Sequence, residues 1–232
     1  MFKDIKQVMK DSVLYGIGNV AVKLVGFILI PLYTDAEYFS TADYGLMGLL
    51  EVTSQILIAV MGLSLYSGLI RWYWDAEYRD KQKTFFFTTL LFTILTSLCI
   101  GSVLWLNVGE LSALLVQQEG YSLGGELPYI LQLLILTSML GAVVEVPQNL
   151  LRLQRKPIYY SLTNIVRLFA TLVLTIYFTI SLHRGVSGVY EAQLVGIVIQ
   201  LLMVLPLVIK NSSCRVDRKC TIQLLAYSYP LV

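Results

Sequence analysis

The sequence predicts an all-α membrane protein in which six transmembrane helices form one bundle. Three observations lead to this fold class. The 232 residues are 56% hydrophobic and only 14% charged, with a mean hydropathy of +0.71, which is more apolar than the core of a soluble domain requires. Hydrophobic runs long enough to cross a bilayer recur along the chain and are joined by short connections. The basic residues are concentrated in alternate connections.

Each predicted span is a hydrophobic run of about 20 residues or more. The runs cover 12–33, 44–70, 84–108, 128–151, 158–180 and 187–209. Ser40 and Asp43 offer an N-cap to the second helix, and Pro128 suits the first turn of the fourth. We divide the chain into a cytoplasmic lead-in (1–11), a six-helix transmembrane lobe (12–209), a cytoplasmic basic linker (210–220) and the start of a truncated seventh span (221–232). The last segment leads us to expect a longer protein with a second lobe.

The distribution of Lys and Arg predicts the orientation. Residues 1–11 contain three basic residues, 71–83 four, 152–157 three and 210–220 four, whereas 34–43 and 109–127 contain none and 181–186 one. Cytoplasmic loops of membrane proteins are enriched in basic residues. The N-terminus and the even connections are therefore predicted to be cytoplasmic.

Four predicted spans contain an ionisable residue: Lys23, Glu51, Glu145 and Arg167. Lys23 lies near the middle of its span, where a charge costs roughly 2.5–3.5 kcal/mol on insertion scales, and charged residues within spans usually face a bundle interior or a water-filled cavity. These four residues are therefore the first candidates for a functional site.

Polar and small residues share one helix face with each of these four residues, at helical spacings of four and three. The faces are Ser12, Gly16, Asn19, Lys23 and Gly26 in the first span; Tyr44, Gly48, Glu51, Gln55, Ala59, Gly62 and Tyr66 in the second; Ser138, Gly141, Glu145, Gln148 and Arg152 in the fourth; and Tyr160, Asn164, Arg167, Thr171 and Thr175 in the fifth. If they converge, they line one hydrophilic cavity. The third span offers only Thr and Ser, and the sixth only Glu191 and Gln200.

Two interpretations of the cavity stay open. In the functional one, Lys23 and Arg167, with the neighbouring Asn19 and Asn164, bind an anionic head group, and Glu51 or Glu145 binds a coupling proton or sodium ion. In the structural one, Lys23 pairs with Glu51, or Arg167 with Glu145, and these pairs fix the helix register without binding anything.

Pro147 interrupts the fourth span two residues after Glu145. A proline within a helix removes a backbone hydrogen bond and kinks the helix. The bend could serve gating or could simply accommodate packing.

The sequence gives no sign of catalytic chemistry. The cysteines Cys99, Cys214 and Cys220 lack metal-binding or redox spacing, and we interpret them as free thiols. A membrane-bound transferase would need a catalytic base and usually metal-binding carboxylates in a sizeable aqueous loop, and the nearest acidic cluster, Asp75 with Glu77, stands alone. We therefore expect no enzyme, cofactor, metal or nucleic-acid partner, and a lipid bilayer as the surroundings.

Several runs resemble a known family. They are YGIGNVAVKLVGFILIPLYT, STADYGLMGLLE, GLSLYSGLIRWYWD, LLRLQRKPIYYSLTNIVRLF and RGVSGVYEAQLVG. Together they resemble the N-terminal part of bacterial polysaccharide biosynthesis proteins of the Wzx oligosaccharide-flippase type, in the multidrug/oligosaccharidyl-lipid/polysaccharide (MOP) exporter superfamily. The combination of DYG at the start of the second span and PLYT at the end of the first is characteristic, and the resemblance covers nearly the whole chain.

The resemblance implies the N-terminal lobe of a transporter of twelve to fourteen helices in two pseudo-symmetric lobes. Such a protein flips undecaprenyl-pyrophosphate-linked oligosaccharide across the bacterial cytoplasmic (inner) membrane by alternating access, for O-antigen of lipopolysaccharide or for exopolysaccharide. It further implies a basic residue at the place of Lys23, a cationic cavity, and a polysaccharide polymerase and glycosyltransferases as partners. A multidrug exporter of the same superfamily would favour an acidic, aromatic cavity. A truncated membrane protein that does not transport is the remaining alternative.

Overall fold

Every regular element in the described part of the chain is helical. The computed structural model describes residues 16, 27–119, 125–213 and 215–228. The helices are α1 (27–33), α2 (Thr41–Gly62), α3 (Leu65–Trp72), α4 (Gln82–Leu106), α5 (Val108–Glu119), α6 (Leu127–Leu153), α7 (Pro157–Ile176), α8 (Gly185–Asn211) and α9 (Arg218–Ser228). A 3₁₀ turn (Ala76–Lys81) precedes α4, and a π-helical turn (Tyr177–Ser181) extends α7. The predicted all-α fold class is confirmed.

Five helical segments within these ranges are long and apolar enough to cross a membrane. They are Thr41–Gly62, Tyr78–Leu106, Leu127–Leu153, Pro157–Ser181 and Gly185–Asn211. They correspond to the second to sixth predicted spans. The first predicted span, 12–33, lies mostly outside the described residues.

The predicted start signals of α2 and α6 are confirmed. The Ser40 hydroxyl accepts a hydrogen bond from the Asp43 backbone N–H at 3.1 Å, and the Asp43 carboxylate accepts one from the Ser40 N–H at 2.9 Å. This reciprocal capping box satisfies two N–H groups that have no partner within the helix. Pro128 occupies the second position of α6, where its missing N–H costs nothing.

The second predicted span is two helices, so the single helix expected over 44–70 is wrong. Leu63 and Ser64 both have left-handed backbone conformations, with φ of 45° and 47°. Two successive left-handed residues end the helical hydrogen bonding after Gly62, and α3 starts anew. The hydrophobic pattern runs without interruption across the break and so does not reveal it. Helix α5, in turn, occupies part of the predicted connection 109–127.

Helix α6 forms the centre of the bundle. It packs against α2, α4 and α8, while α7 packs mainly on α8. Buried apolar side chains form two clusters. One includes Leu46, Leu50, Ile130, Leu134 and Tyr190, and the other Leu65, Leu69, Phe85, Phe86, Leu150 and Leu151. Because α6 fills the centre, the described faces of α2 and α7 that it does not cover are left to border a groove.

Helix α9 docks on α3 and α4. Cys220 and Leu224 are buried in the second cluster. Asp217 precedes the helix, where its carboxylate accepts hydrogen bonds from Lys81 Nζ at 2.6 Å and from the Lys219 backbone N–H at 2.9 Å. These two bonds, that of Lys81 first, hold the pKa of the Asp217 carboxyl below its usual value. The helix covers the boundary between the predicted linker and the predicted seventh span.

The prediction of free thiols is confirmed for the two cysteines that the structure describes. Cys99 and Cys220 are free thiols. Cys214 lies outside the described residues.

Candidate functional site

A groove follows α2 along its whole length, and we call it the α2 groove. It consists of four adjoining cavities, each of which shares lining residues with the next. The 22 residues of α2 rise about 33 Å at 1.5 Å per residue, which matches a hydrocarbon layer about 30 Å thick. Every residue of the face predicted for the second span borders it: Tyr44, Gly48, Glu51, Gln55, Ala59, Gly62 and Tyr66.

Two of the cavities lie toward the start of α2. The mouth compartment, of about 440 Å³, is bordered by Thr34, Ser40 and Thr41. It shares Tyr33 and Tyr44 with the aromatic compartment, of about 300 Å³, which Tyr190, Gly48 and Met47 also border. This half of the groove is therefore rich in aromatic rings and hydroxyl groups.

The other two cavities occupy the middle and the far end of α2. The central compartment, of about 370 Å³, shares Glu51 and Gln193 with the aromatic compartment. The acidic compartment, of about 240 Å³, shares Gln55 and Ile58 with the central one and contains Glu145. Glu51 and Arg167 thus border the middle of the groove, and Glu145 borders its far end.

The central compartment brings together three predicted site residues. Glu51 comes from the middle of α2, and Asn164 and Arg167 from the middle of α7. Ser54, Thr137 and Thr171 add hydroxyl groups to the lining. A cation, a carboxylate and several neutral hydrogen-bonding groups therefore face one space at mid-depth.

The guanidinium of Arg167 is held by a neutral amide. Its Nη1 donates to Gln200 Oε1 at 3.1 Å, and Gln200 Nε2 donates to Asn164 Oδ1 at 3.0 Å. Asn164 Nδ2 in turn donates to the Tyr160 carbonyl at 2.9 Å. This chain of hydrogen bonds orients Arg167 without neutralising its charge.

The alternative pairing of Arg167 with Glu145 is not observed among the described residues. Glu145 belongs to the acidic compartment on α6, whereas Arg167 lies in the central compartment. The sequence pattern suggests this pair only because each residue lies at the centre of a polar helix face. Whether Arg167 can pair with Glu145 depends on how α6 and α7 pack against each other. The sequence pattern does not contain that information.

Most of the face predicted for the fourth span serves packing. Ser138 lies 3.0 Å from Ser54, hydroxyl to hydroxyl, and Gln148 Nε2 donates to Thr163 Oγ1 at 2.9 Å. Both are buried because α2, α4 and α8 surround α6. Arg152 lies over the ring of Tyr160, 4.6 Å from its centroid. Of this face, Glu145 borders the groove.

The remaining predicted residues divide as follows. Lys23 and Asn19 lie outside the described residues, so their role stays a prediction. Pro147 is buried within α6, which continues as a helix on both sides of it. The gating role of Pro147 also stays a prediction.

Sequence reasoning missed Gln193 and undervalued Gln200. Gln193, Gly196 and Gln200 follow the same spacing of three and four on α8, so the pattern that identified the other faces would have identified this one. Gln193 borders two compartments, and Gln200 holds Arg167. Glu191, by contrast, pairs with Arg184 and accepts a hydrogen bond from the Tyr129 hydroxyl at 2.8 Å near the start of α8.

Comparison with known proteins places the fold. No protein-family model matches the sequence, and no curated protein does. Among solved structures, an outward-facing multidrug resistance MATE family transporter of the MOP superfamily superposes with a TM-score of 0.73 at 18% identity, over 97% of this chain and 51% of that one. The chain therefore has the same fold as about half of that structure.

Two further structures agree. A MOP-superfamily transporter from Pyrococcus furiosus Vc1, whose binding pocket has reverse polarity that suggests a different function, matches with a TM-score of 0.71 at 19% identity, over 97% of this chain and 51% of its own. A MATE structure in the straight conformation matches with a TM-score of 0.70 at 19% identity, over 97% of this chain and 52% of that one. This chain therefore spans about half the length of the structures it matches, and the expected MATE-like fold is confirmed.

Proposed function

We propose that this chain forms one lobe of a transporter that moves an undecaprenyl-pyrophosphate-linked oligosaccharide across the bacterial inner membrane by alternating access. The observation that carries the proposal is Arg167, a cation at mid-depth in a groove as long as a bilayer is thick. It shares the central compartment with the Glu51 carboxylate but forms no salt bridge with Glu51 or with any other described residue. A guanidinium in such a place is costly unless an anion compensates it. Diphosphate oxygens suit its planar fork of donors.

The shape of the groove suits an amphiphile. A polar head group can move along α2 past hydroxyl, amide and carboxylate groups, while its lipid chain stays in the surrounding hydrocarbon. The distribution of basic residues predicts that the acidic compartment lies toward the cytoplasm and the mouth compartment toward the outside. Lys23 and Asn19, in the first predicted span, would add further hydrogen-bond donors at mid-depth.

The proposal also includes a second lobe, a coupling ion and partner enzymes. A second lobe covers the open side of the groove, as the length of the matching structures suggests. Glu51 or Glu145 binds the coupling proton or sodium ion. Glycosyltransferases supply the lipid-linked substrate and a polymerase consumes it, and the chain itself makes and breaks no bonds.

A second candidate is export of organic cations, and one observation favours it. The aromatic compartment presents Tyr33, Tyr44 and Tyr190 together with Glu51. Aromatic faces and a carboxylate attract cations. One matching structure is described as a multidrug resistance MATE family transporter. Arg167, next to the aromatic compartment, disfavours a cationic ligand at mid-depth.

One experiment separates the two candidates. Arg167→Ala and Glu51→Gln are introduced into the native gene, and surface polysaccharide and ethidium accumulation are measured at matched protein levels. We expect Arg167→Ala to reduce surface polysaccharide about tenfold or more, because a charge-assisted contact is lost. Arg184→Ala is the matched control, since it removes an equal charge at the end of the bundle.

The outcomes point in opposite directions. Normal polysaccharide in Arg167→Ala contradicts the proposal. Ethidium accumulation raised by Glu51→Gln, with polysaccharide unchanged in both variants, would establish the organic-cation function instead.

A further inference from the structure

Gln200 occupies a special position between two groove residues. It lies in α8 and is only 1% exposed, yet its amide reaches both Asn164 and Arg167 on α7. Those two residues are three positions apart and so lie side by side on one helix face. One buried side chain thereby connects the cation of the groove to its neighbour.

The direction of this hydrogen-bond chain has one consistent solution. Asn164 Nδ2 donates to the Tyr160 carbonyl, which leaves Asn164 Oδ1 as the atom that faces Gln200. Gln200 must therefore present its NH₂ group to Asn164 and its oxygen to Arg167. A guanidinium has donors only, so it requires that oxygen. The reversed amide would place donor against donor at Arg167 and acceptor against acceptor at Asn164.

The acceptor at Arg167 is neutral. A glutamate would fit the same volume and would bind the guanidinium more strongly, but it would cancel the charge. The amide fixes the side chain and leaves the positive field directed into the central compartment. The carboxylate that shares this compartment, Glu51, is on helix α2. It attracts Arg167 through space but makes no hydrogen bond or salt bridge to it among the described residues.

We propose that Gln200 is a positioning residue, and that its uncharged oxygen keeps Arg167 both oriented and available to an anionic ligand. The inference rests on the proposed function, because it takes Arg167 as the anion contact. It adds a specific requirement: at position 200 the chain needs an acceptor without charge.

The test measures binding of inorganic pyrophosphate to the full chain in nanodiscs by isothermal titration calorimetry, together with the thermal unfolding midpoint. Gln200→Glu keeps the size of the side chain and adds the charge. Gln200→Met keeps similar volume and removes the acceptor. Arg167→Ala removes the anion contact. Gln148→Glu is the matched control, because it adds the same charge to a buried glutamine that contacts Thr163 instead.

We expect Gln200→Glu to weaken pyrophosphate binding about tenfold or more. Its unfolding midpoint should stay within about 4 °C of wild type, because the ion pair with Arg167 offsets both the lost hydrogen bond and the new acceptor–acceptor contact at Asn164 Oδ1. Gln200→Met should weaken binding about three- to tenfold through loss of orientation. Gln148→Glu should stay within about twofold of wild type.

Each contrary result has a distinct meaning. If Arg167→Ala binds pyrophosphate like wild type, the anion contact and the role of Gln200 are both wrong. If Arg167→Ala loses binding while both Gln200 variants retain it, Arg167 is the anion contact but the inference about Gln200 is wrong. If Gln200→Glu loses binding and stability together, Gln200 is a packing residue, which also overturns the inference.

Discussion

Helices α6 and α7 carry polar faces of the same spacing, yet the two faces meet different surroundings. In the apolar part of α6, 56% of the residues are buried within the protein. In the corresponding part of α7 and its π-helical extension, 17% are buried. The polar residues Ser138 and Gln148 of α6 bond to Ser54 and Thr163 on neighbouring helices. On α7, Asn164, Arg167 and Thr171 border the central compartment.

This difference shows that a polar stripe in the sequence identifies a polar helix face, but not whether that face packs against another helix or borders a cavity. Polar groups in a membrane need partners, and these can be another helix or the contents of a cavity. Because α6 is enclosed by α2, α4 and α8, its stripe joins helices. Because α7 packs mainly on α8, part of its stripe remains open to the groove.

The largest expected effect tests this contrast through packing. Leu150 of α6 is fully buried, whereas Phe169 of α7 is 66% exposed. Leu150→Ala should lower the free energy of unfolding by about 2–3 kcal/mol, near the low end for cavity formation, because lipid is as apolar as the bundle interior and lost packing is the main term. Phe169→Ala, the control, should cost less than about 0.5 kcal/mol. Unfolding in mixed detergent micelles measures the free energy of unfolding of both variants. Equal losses of free energy would show that the two helices do not differ in how they are packed.

A smaller effect concerns the contact that brings Gln200 to Arg167. A Cβ atom added at Gly196 would stand 3.2 Å from the Arg167 carbonyl oxygen and would collide with the Thr171 hydroxyl. Gly196→Ala should therefore separate α7 from α8, cost about 1–2 kcal/mol of unfolding free energy and weaken pyrophosphate binding. Gly48 has open space at its Cβ position, so Gly48→Ala serves as the stability control. Wild-type stability and binding in Gly196→Ala would show that the two helices are not closely fitted.

The smallest effect concerns the polar contact between α2 and α6. Ser54 and Ser138 lie 3.0 Å apart, hydroxyl to hydroxyl. In a double-mutant cycle of Ser54→Ala and Ser138→Ala, we expect a coupling energy of about 0.6 kcal/mol, the average for hydrogen bonds between membrane helices. Ser138→Ala alone should leave pyrophosphate binding unchanged. A Ser138→Ala variant that lost binding would mean that the α6 stripe belongs to the groove after all.

Much of the architecture was predictable from local rules. The five described spanning helices follow from apolar runs of sufficient length, and the starts of α2 and α6 follow from Ser40, Asp43 and Pro128. The groove face of α2 was predictable residue by residue, since side chains spaced by four and three share a face whatever their neighbours are. The break at Leu63 and Ser64 was not predictable, because neither residue favours a left-handed backbone.

The sequence by itself determined which residues lie at mid-depth and which of them share a helix face, because both follow from helical geometry along one chain. Only the tertiary structure decided what each face meets. It directed the stripe of α6 into neighbouring helices, opened those of α2 and α7 onto the groove, separated Glu145 from Arg167, and placed Gln200 of α8 against Arg167. These outcomes depend on contacts between residues distant in sequence, which helical periodicity does not record.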